Sequence, residues 1–283
     1  MKLDNFVASS DIYDVYESDG MAVRIYKKPE YKEKCLYAAL THARVETTLG
    51  NSFIKMPVLH EVSVIDGKWA ITMDFIKGKT LQQLMDEHPE KEDEYLDLFV
   101  DLQLEVHSKS CPLLNKLKDK MNRKIGQTDF DATTRYDLHT RLDAMPRHTK
   151  LCHGDFNPSN VVVGEDGKLY VLDWAHATQG NAAADAANTY LMFLLDGDET
   201  GADKYLSLFC EKSKALPAAV LREERNGTDL RPEVDAHRGG IPVGQRQRNG
   251  TRPAPPVGQR GRLRVNPEKH GRKGTTIMKV TVC

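Results

Sequence analysis

The stretch LCHGDFNPSNVVVGEDGKLYVLDW, Leu151 to Trp174, decides how this chain is read. Val161-Val162-Val163 and Leu169-Tyr170-Val171-Leu172 are short runs of strand-forming residues, and Gly164-Glu165-Asp166-Gly167 between them is turn chemistry. Two such runs around a short Gly/Asp turn predict a β-hairpin. A hairpin brings its ends together. Asn160, just ahead of the first strand, is therefore expected beside Asp173, just after the second, with Asp155 five residues upstream of Asn160. An amide oxygen and a carboxylate are the hard donors that Mg²⁺ takes, usually one or two from protein and the rest from phosphates and water. Asp155 is then available to accept the proton of an attacking hydroxyl while a γ-phosphoryl group moves in line. The competing structural reading makes His-Gly-Asp an ordinary loop and the Asp and Asn turn caps. Three oxygen-bearing side chains at the ends of one hairpin favour the chemical reading.

Moving outward, 283 residues are enough for one large or two small domains with a real core. No apolar run approaches the roughly 20 residues of a membrane span, so no membrane partner is expected. The opening residues MKLDNFVASSD lack the apolar core of a signal peptide. Five cysteines (Cys35, Cys111, Cys152, Cys210, Cys283) are scattered, odd in number and without C-x-x-C spacing. They read as reduced thiols of a cytoplasmic protein, neither a disulfide framework nor a zinc site.

Residues 12–26 alternate around Ser18-Asp19-Gly20 as a second hairpin, and Glu30 to Leu49 reads as a helix with Leu36, Ala39, Leu40, Ala43 and Val45 mostly on one side. Val58–Val64 and Trp69–Phe75 are expected strands around Asp66-Gly67. Lys77 to Thr80 breaks the pattern, and Thr80 caps a helix from Leu81. Helices are expected over Leu81–Glu87, Glu92–Ser108, Leu113–Ile125, Ala132–Ala144 and Asp185–Leu195, with Tyr205–Cys210 continuing helical. The plan is α+β and two-lobed. Residues 1–80 form a small antiparallel β lobe, and residues 81–215 a mostly helical lobe carrying the hairpin.

The last segment is a different polymer. Residues 1–220 carry 26 Lys/Arg against 35 Asp/Glu, whereas residues 221–283 carry 14 against 6, with 9 Gly, 6 Pro and no aromatic residue. RNGT and PVGQR each occur twice there. Too little apolar surface is present to offset the entropy of ordering it, so residues 216–283 are expected to be a disordered basic tail. The abruptness of the change suggests translation out of frame. A basic nucleic-acid-binding arm is the other reading, but no aromatic is available to stack on bases, and nucleic acid is not an expected partner.

The pattern in CHGDFNPSN (Cys152 to Asn160), VLDW (Val171 to Trp174) and GNAAADAA (Gly180 to Ala187) resembles the aminoglycoside phosphotransferase and choline kinase family over roughly residues 10 to 215. The resemblance implies a protein-kinase-like fold and a transfer of the γ-phosphate of ATP, with Mg²⁺, to a hydroxyl of a small molecule. It implies Asp155 as catalytic base, His153 as organiser of the catalytic loop, Asn160 and Asp173 as Mg²⁺ ligands, and Asp185 as the residue that holds the loop through backbone hydrogen bonds. It makes Met73 to Ile76 the hinge, whose Asp74 carbonyl and Ile76 amide would bind adenine. Ser9-Ser10 and the turn after them fall at the phosphate-loop position. A protein kinase is disfavoured, because His-Gly-Asp stands where those enzymes have His-Arg-Asp and no Asp-Phe-Gly follows.

Two positions depart from the pattern. Arg24 stands where the family places a phosphate-pairing lysine, and arginine is larger, planar and not a conservative replacement. Arg24 reads either as a phosphate partner or as a solvated charge at a strand edge. The window Ala38 to Ala43, where a partner glutamate is expected, contains no acid; Glu33 and Glu46 flank it. These departures leave open a catalytically weak or silent nucleotide-binding relative.

Overall fold

The five strands of the first sheet follow from alternating sequence and from turns that need a left-handed backbone. β1 (Asn5–Ser9), β2 (Tyr13–Ser18), β3 (Met21–Tyr26), β4 (Leu59–Ile65) and β5 (Lys68–Asp74) form an antiparallel sheet in the order β1-β2-β3-β5-β4. Asp19-Gly20 and Asp66-Gly67, all at positive φ, close the two tight hairpins, the conformation that Asp and Gly tolerate best. The computed structural model describes residue 3 and residues 5–50 and 52–213. The expectations for residues 216–283, both the disordered tail and the change of reading frame, lie outside the described residues.

α1 (Lys32–Leu49) covers one face of this sheet, but not with the side that its leucines suggested. Its buried positions are Cys35, Ala38, Ala39, Thr41, His42, Val45 and Leu49, while Leu36 and Leu40 are 41% and 50% exposed. Facing Trp174 and Ala175 the buried side presents Ala38, Ala39 and His42, small or polar residues that line one cavity with them. A hydrophobicity count misses this, since close approach selects for size as much as for apolarity.

The helical lobe begins at Lys77 to Thr80, which is not a simple break: β6 (Gly78–Thr80) pairs with the hairpin of β8 (Val161–Gly164) and β9 (Leu169–Val171) in a three-stranded sheet. Backbone pairing, not side-chain pattern, makes this strand. A Cβ on Gly78 would lie 2.2 Å from the carbonyl oxygen of Val163. α2 (Leu81–Glu87) starts in a capping box, with Thr80 Oγ1 accepting from the Gln83 N–H and the Gln83 side chain accepting from the Thr80 N–H. α3 (Glu92–Ser108), α4 (Leu117–Gly126) and α5 (Ala132–Ala144) follow, α4 starting four residues later than expected. Then come β7 (Lys150–Cys152) and, after the hairpin, β10 (Thr178–Gly180), which pair antiparallel. α6 (Ala182–Leu195) and α7 (Glu199–Lys212) complete the described chain.

α3 runs through the main core. Leu96, Phe99, Val100, Leu102 and Val106 are buried against Phe156, Tyr190, Tyr205 and Phe209. Phe99 meets Phe156 at 4.7 Å between ring centroids, which ties this core directly to the loop after Asp155. The described chain follows the two-lobed α+β plan, a five-stranded antiparallel sheet with one helix and then a mostly helical lobe. No helix among the described residues is long and apolar enough to cross a membrane.

Candidate active site

The chain leaves β7 and turns through His153-Gly154-Asp155 in a loop fixed from several sides. Gly154 has φ +79°, and a Cβ there would stand 2.5 Å from the His176 carbonyl oxygen, so only glycine fits. Asp185, in the first turn of α6, accepts from the backbone N–H groups of His153 (3.0 Å) and Gly154 (2.7 Å) and from His107 Nε2 (3.0 Å). Burial alone would raise its pKa. The hydrogen bond and charge of His107, with the Gly154 N–H, outweigh that and hold the carboxyl below its usual value. The His153 ring accepts the Asp155 N–H at Nδ1 (3.2 Å) and donates from Nε2 to the Leu172 carbonyl (2.8 Å), which fixes the orientation of the ring. It is wedged between Phe156 and Trp174.

A second layer stands behind. Tyr205 donates to Gln103 Oε1, Gln103 Nε2 donates to Thr189 Oγ1 (3.0 Å), and Thr189 Oγ1 donates to the Phe156 carbonyl (2.9 Å). Asn188 Nδ2 donates to the Gly154 carbonyl (3.1 Å). Sequence reading took α6 and α3 only as apolar helices and missed these residues. Polar residues at Gln103, Asn188 and Thr189 inside apolar helical runs were the available signal.

Asp155 is gripped by two amides. Asn160 Nδ2 donates to its carbonyl (2.9 Å) and to Oδ2 (3.2 Å), and Asn157 Nδ2 reaches its carbonyl and Oδ1, both at 3.3 Å. Burial, with the charge of Asp173 nearby, pushes the Asp155 carboxyl up despite the opposing His153 and amide contacts. With its nitrogen so placed, Asn160 keeps its side-chain oxygen as an acceptor that no donor among the described residues occupies. The Leu172 N–H donates to the Asn160 carbonyl (2.8 Å) and closes the hairpin, so Asn160 and Asp173 are brought together.

Asp173 sits in the left-handed region at φ 54° and ψ 60°, uncommon for a non-glycine residue. Its Oδ1 accepts from Arg24 Nη1 and its Oδ2 from the Tyr13 hydroxyl, both at 2.9 Å. Burial would raise the Asp173 carboxyl. The Arg24 charge and hydrogen bond, with the Tyr13 hydroxyl, bring it down to about 2. Arg24 is no strand-edge charge: it lies on β3, flanked by Val15 and Ile71 of the neighbouring strands, with its side chain 13% exposed and its guanidinium 4.3 Å above the Tyr13 ring. Its Nε is buried without a hydrogen-bond partner among the described residues. Beside it a cavity of about 10 Å³, room for about one water, is lined by Ala38, Ala39, His42 and Asp173 among others. Glu33 and Glu46 make no ion pair among the described residues, so the acid that meets Arg24 comes from the other lobe.

Asp74 and Ile76 lie where β5 runs into β6. The Asp74 carboxylate accepts from the Val58 N–H (3.0 Å) and His60 Nε2 (2.7 Å), while the Ile76 N–H has no backbone partner among the described residues. Ser10 Oγ organises the β1–β2 turn by accepting from the N–H groups of Ile12 and Tyr13.

The model of the phosphotransferase enzyme family matches residues 8–219, three quarters of the chain, and spans every residue of this site. The chain belongs to that family. It is thereby a small-molecule kinase, a class that moves phosphoryl groups from ATP to small molecules. Solved structures share the fold at low identity. A thermostable mutant of aminoglycoside phosphotransferase APH(4)-Ia in its apo form is 15% identical with a TM-score of 0.52, over 74% of this chain and 78% of that one. Choline kinase LicA from Streptococcus pneumoniae is 14% identical with a TM-score of 0.51, over 74% and 75%. ADP-bound aminoglycoside phosphotransferase APH(2'')-Ib is 18% identical with a TM-score of 0.50, over 79% and 81%. These likenesses carry the fold alone. No curated protein matches the chain in sequence.

Proposed function

We propose that this member of the phosphotransferase family is a cytoplasmic, Mg²⁺-dependent kinase that transfers the γ-phosphate of ATP to a hydroxyl of a small molecule. One observation supports the reading most: Asp155, its pKa raised by burial, shares one hairpin mouth with the ionised Asp173 and with the Asn160 amide oxygen, which accepts from no donor among the described residues. Asp155 accepts the proton of the attacking hydroxyl, and the Asn157 and Asn160 amides keep its carboxylate aimed. His153 and Asp185 act through the backbone, holding the loop so that no reorganisation is needed during transfer. The Ile76 N–H, which has no backbone partner among the described residues, and the Asp74 carbonyl are the adenine partners, and residues 1–80 and 81–215 are the nucleotide and catalytic lobes.

The donor set suits Mg²⁺, with one amide oxygen and one carboxylate that stays ionised well below neutral pH. When bound by Asn160 and Asp173, Mg²⁺ would neutralise charge on the phosphates. Arg24 is held at the same carboxylate, and its charge supports assigning it a phosphate contact.

A second reading, a silent nucleotide-binding relative, is favoured by that same Arg24–Asp173 pair, because a guanidinium already occupies the carboxylate. A thermal-shift titration with ATP and Mg²⁺, run beside an ADP-release assay over a panel of hydroxyl acceptors, separates the two. Turnover with any acceptor establishes the kinase. Nucleotide binding with no turnover across the panel establishes the silent form.

A further inference from the structure

A further side of the catalytic loop is basic. α4 lies against β10: Lys116 bridges to Gln179, the Gln179 N–H donates to the Asn115 carbonyl (3.0 Å), and Leu117 leaves no room for a side chain at Gly180. Lys120, one turn further on, donates from Nζ to the His176 carbonyl (2.9 Å), the same carbonyl that forbids a Cβ on Gly154. The ammonium therefore stands against the catalytic loop itself. Lys116, Lys120, Arg123 and Lys124 recur at i, i+4, i+7 and i+8, which puts them on one face of the helix.

None of these four makes an ion pair among the described residues, whereas Lys118, off that face, pairs with Asp143 (3.0 Å). Residues 116–150 hold nine Lys/Arg against five Asp/Glu, a net of +4, inside a region of net −9 over residues 1–220. Burial, and then the charges of Lys124 and Arg123, press Lys120 down to about 8, against the pull of Asp185 and Asp155. A bland basic helix face would be fully solvated. Here one half-buried lysine stands beside the catalytic loop, its ammonium bonded to a neutral carbonyl and to no other acceptor among the described residues.

We propose that the Lys120–Arg123–Lys124 face is an anion subsite for the acceptor, so that the hydroxyl compound phosphorylated here carries a carboxylate or phosphate group. The proposal rests on the phosphotransfer reading of Asp155 and names its substrate class. In the step, the acceptor oxygen bonds to the γ-phosphorus, the bond to the β–γ bridging oxygen breaks, ADP leaves, and the hydroxyl proton passes to Asp155. The acid group on Lys120 fixes the acceptor with a hydroxyl toward that carboxylate. A polycationic acceptor meets repulsion at the same face.

The test compares ADP release with matched acceptors: glycerol and glycerate, glucose and gluconate, glucose and glucose 6-phosphate, with kanamycin as the polycation. The acid member of at least one pair is expected to exceed its neutral partner about tenfold or more in kcat/KM, and Arg123→Ala/Lys124→Ala and Lys120→Met to shrink that ratio by a similar factor. Lys118→Ala is expected to keep the wild-type ratio. A preference for the neutral or cationic compounds overturns the proposal, as does an acid preference that survives removal of the charges. A rise in KM for ATP with unchanged acceptor discrimination assigns the face to the nucleotide and also overturns it. If no acceptor turns over, the phosphotransfer reading fails separately. Calorimetric binding of gluconate and glucose 6-phosphate then decides: binding lost in the double variant supports the subsite, and no binding to the wild type removes it.

Discussion

Arg24 and Asp173, 149 residues apart in sequence, meet in a 2.9 Å hydrogen-bonded ion pair that joins the central strand of the small lobe to the end of the catalytic hairpin. The pair sits over Tyr13, which completes it by donating to the second carboxylate oxygen and lying beneath the guanidinium. Desolvating two charges is costly, and the pair is tolerable because each partner satisfies the other. Its position is what matters for function. The carboxylate proposed to hold the metal is the one that Arg24 neutralises.

The coupling should be measurable. Arg24→Met leaves Asp173 nearly enclosed with only Tyr13 against it, and is expected to lower stability by about 2–4 kcal/mol. Asp173→Asn strands Arg24 in the same way. A double-mutant cycle by urea unfolding is expected to give a coupling of about 2 kcal/mol. Additive single effects would show that the pair contributes nothing beyond its members.

How much of this was legible beforehand depends on what each feature is made of. The hairpin was readable because strand runs and a Gly/Asp turn are local, and the convergence of Asn160 with Asp173 follows from hairpin geometry. The helices over Leu81–Glu87, Glu92–Ser108 and Ala132–Ala144 fell where periodicity and caps placed them. β6, β7 and β10, three residues each, were not readable, since backbone pairing with distant strands defines them. Arg24 was recognisable as a misfit at its position, but its partner was not, because the contact crosses 149 residues. Lys120 gave no signal beyond being one lysine in a basic helix. Only the packing of α4 on β10 shows that it points at the loop.

Acid should destabilise the fold through a buried histidine of the small lobe. His42 is buried on α1 with Nε2 2.7 Å from the Pro57 carbonyl, to which it donates as a neutral ring. Burial holds its pKa below the usual histidine value, with the Pro57 contact only partly opposing. Because the unfolded chain takes up this proton more readily than the folded one, stability is lost as pH falls through about 6.5, at up to about 1.4 kcal/mol per pH unit for one site. Thermal melts from pH 7.5 to 5 are expected to show this slope, and His42→Gln, which can still donate to Pro57, to reduce it, leaving the share of His176, which burial presses down to about 4. An identical slope in the variant would assign the effect elsewhere.

Asp185 should tolerate no substitution, the near-isosteric one included. Asp185→Ala leaves two backbone N–H groups and His107 Nε2 without an acceptor in a buried site, an expected loss of about 3 kcal/mol or more. Asp185→Asn keeps one oxygen but turns an NH₂ toward donors, so it is expected to cost at least about 2 kcal/mol. Both should lower kcat more than they raise KM for ATP, since the loop that presents Asp155 shifts while the hinge does not. An Asn variant with wild-type stability and kcat would remove Asp185 as the loop's anchor.

Asp155 is where loop placement and chemistry come together, and its variants separate them. Asp155→Asn keeps the side chain's shape but cannot accept a hydroxyl proton, while its NH₂ faces the Asn157 and Asn160 amides that now donate to it. Asp155→Ala removes both the base and the acceptor of those amides. Losing a positioned general base is expected to cost about 10²–10⁴-fold in kcat. Nucleotide affinity should survive in both, because the proposed adenine and phosphate contacts come from Asp74, Ile76 and Arg24 on the other lobe. Single-turnover transfer measured beside thermal-shift binding of ATP separates the two quantities. Transfer at the wild-type rate in either variant would exclude Asp155 as the base. Equal loss of binding and transfer would make it part of the nucleotide site, and would move the acceptor's approach away from the Gly154 loop.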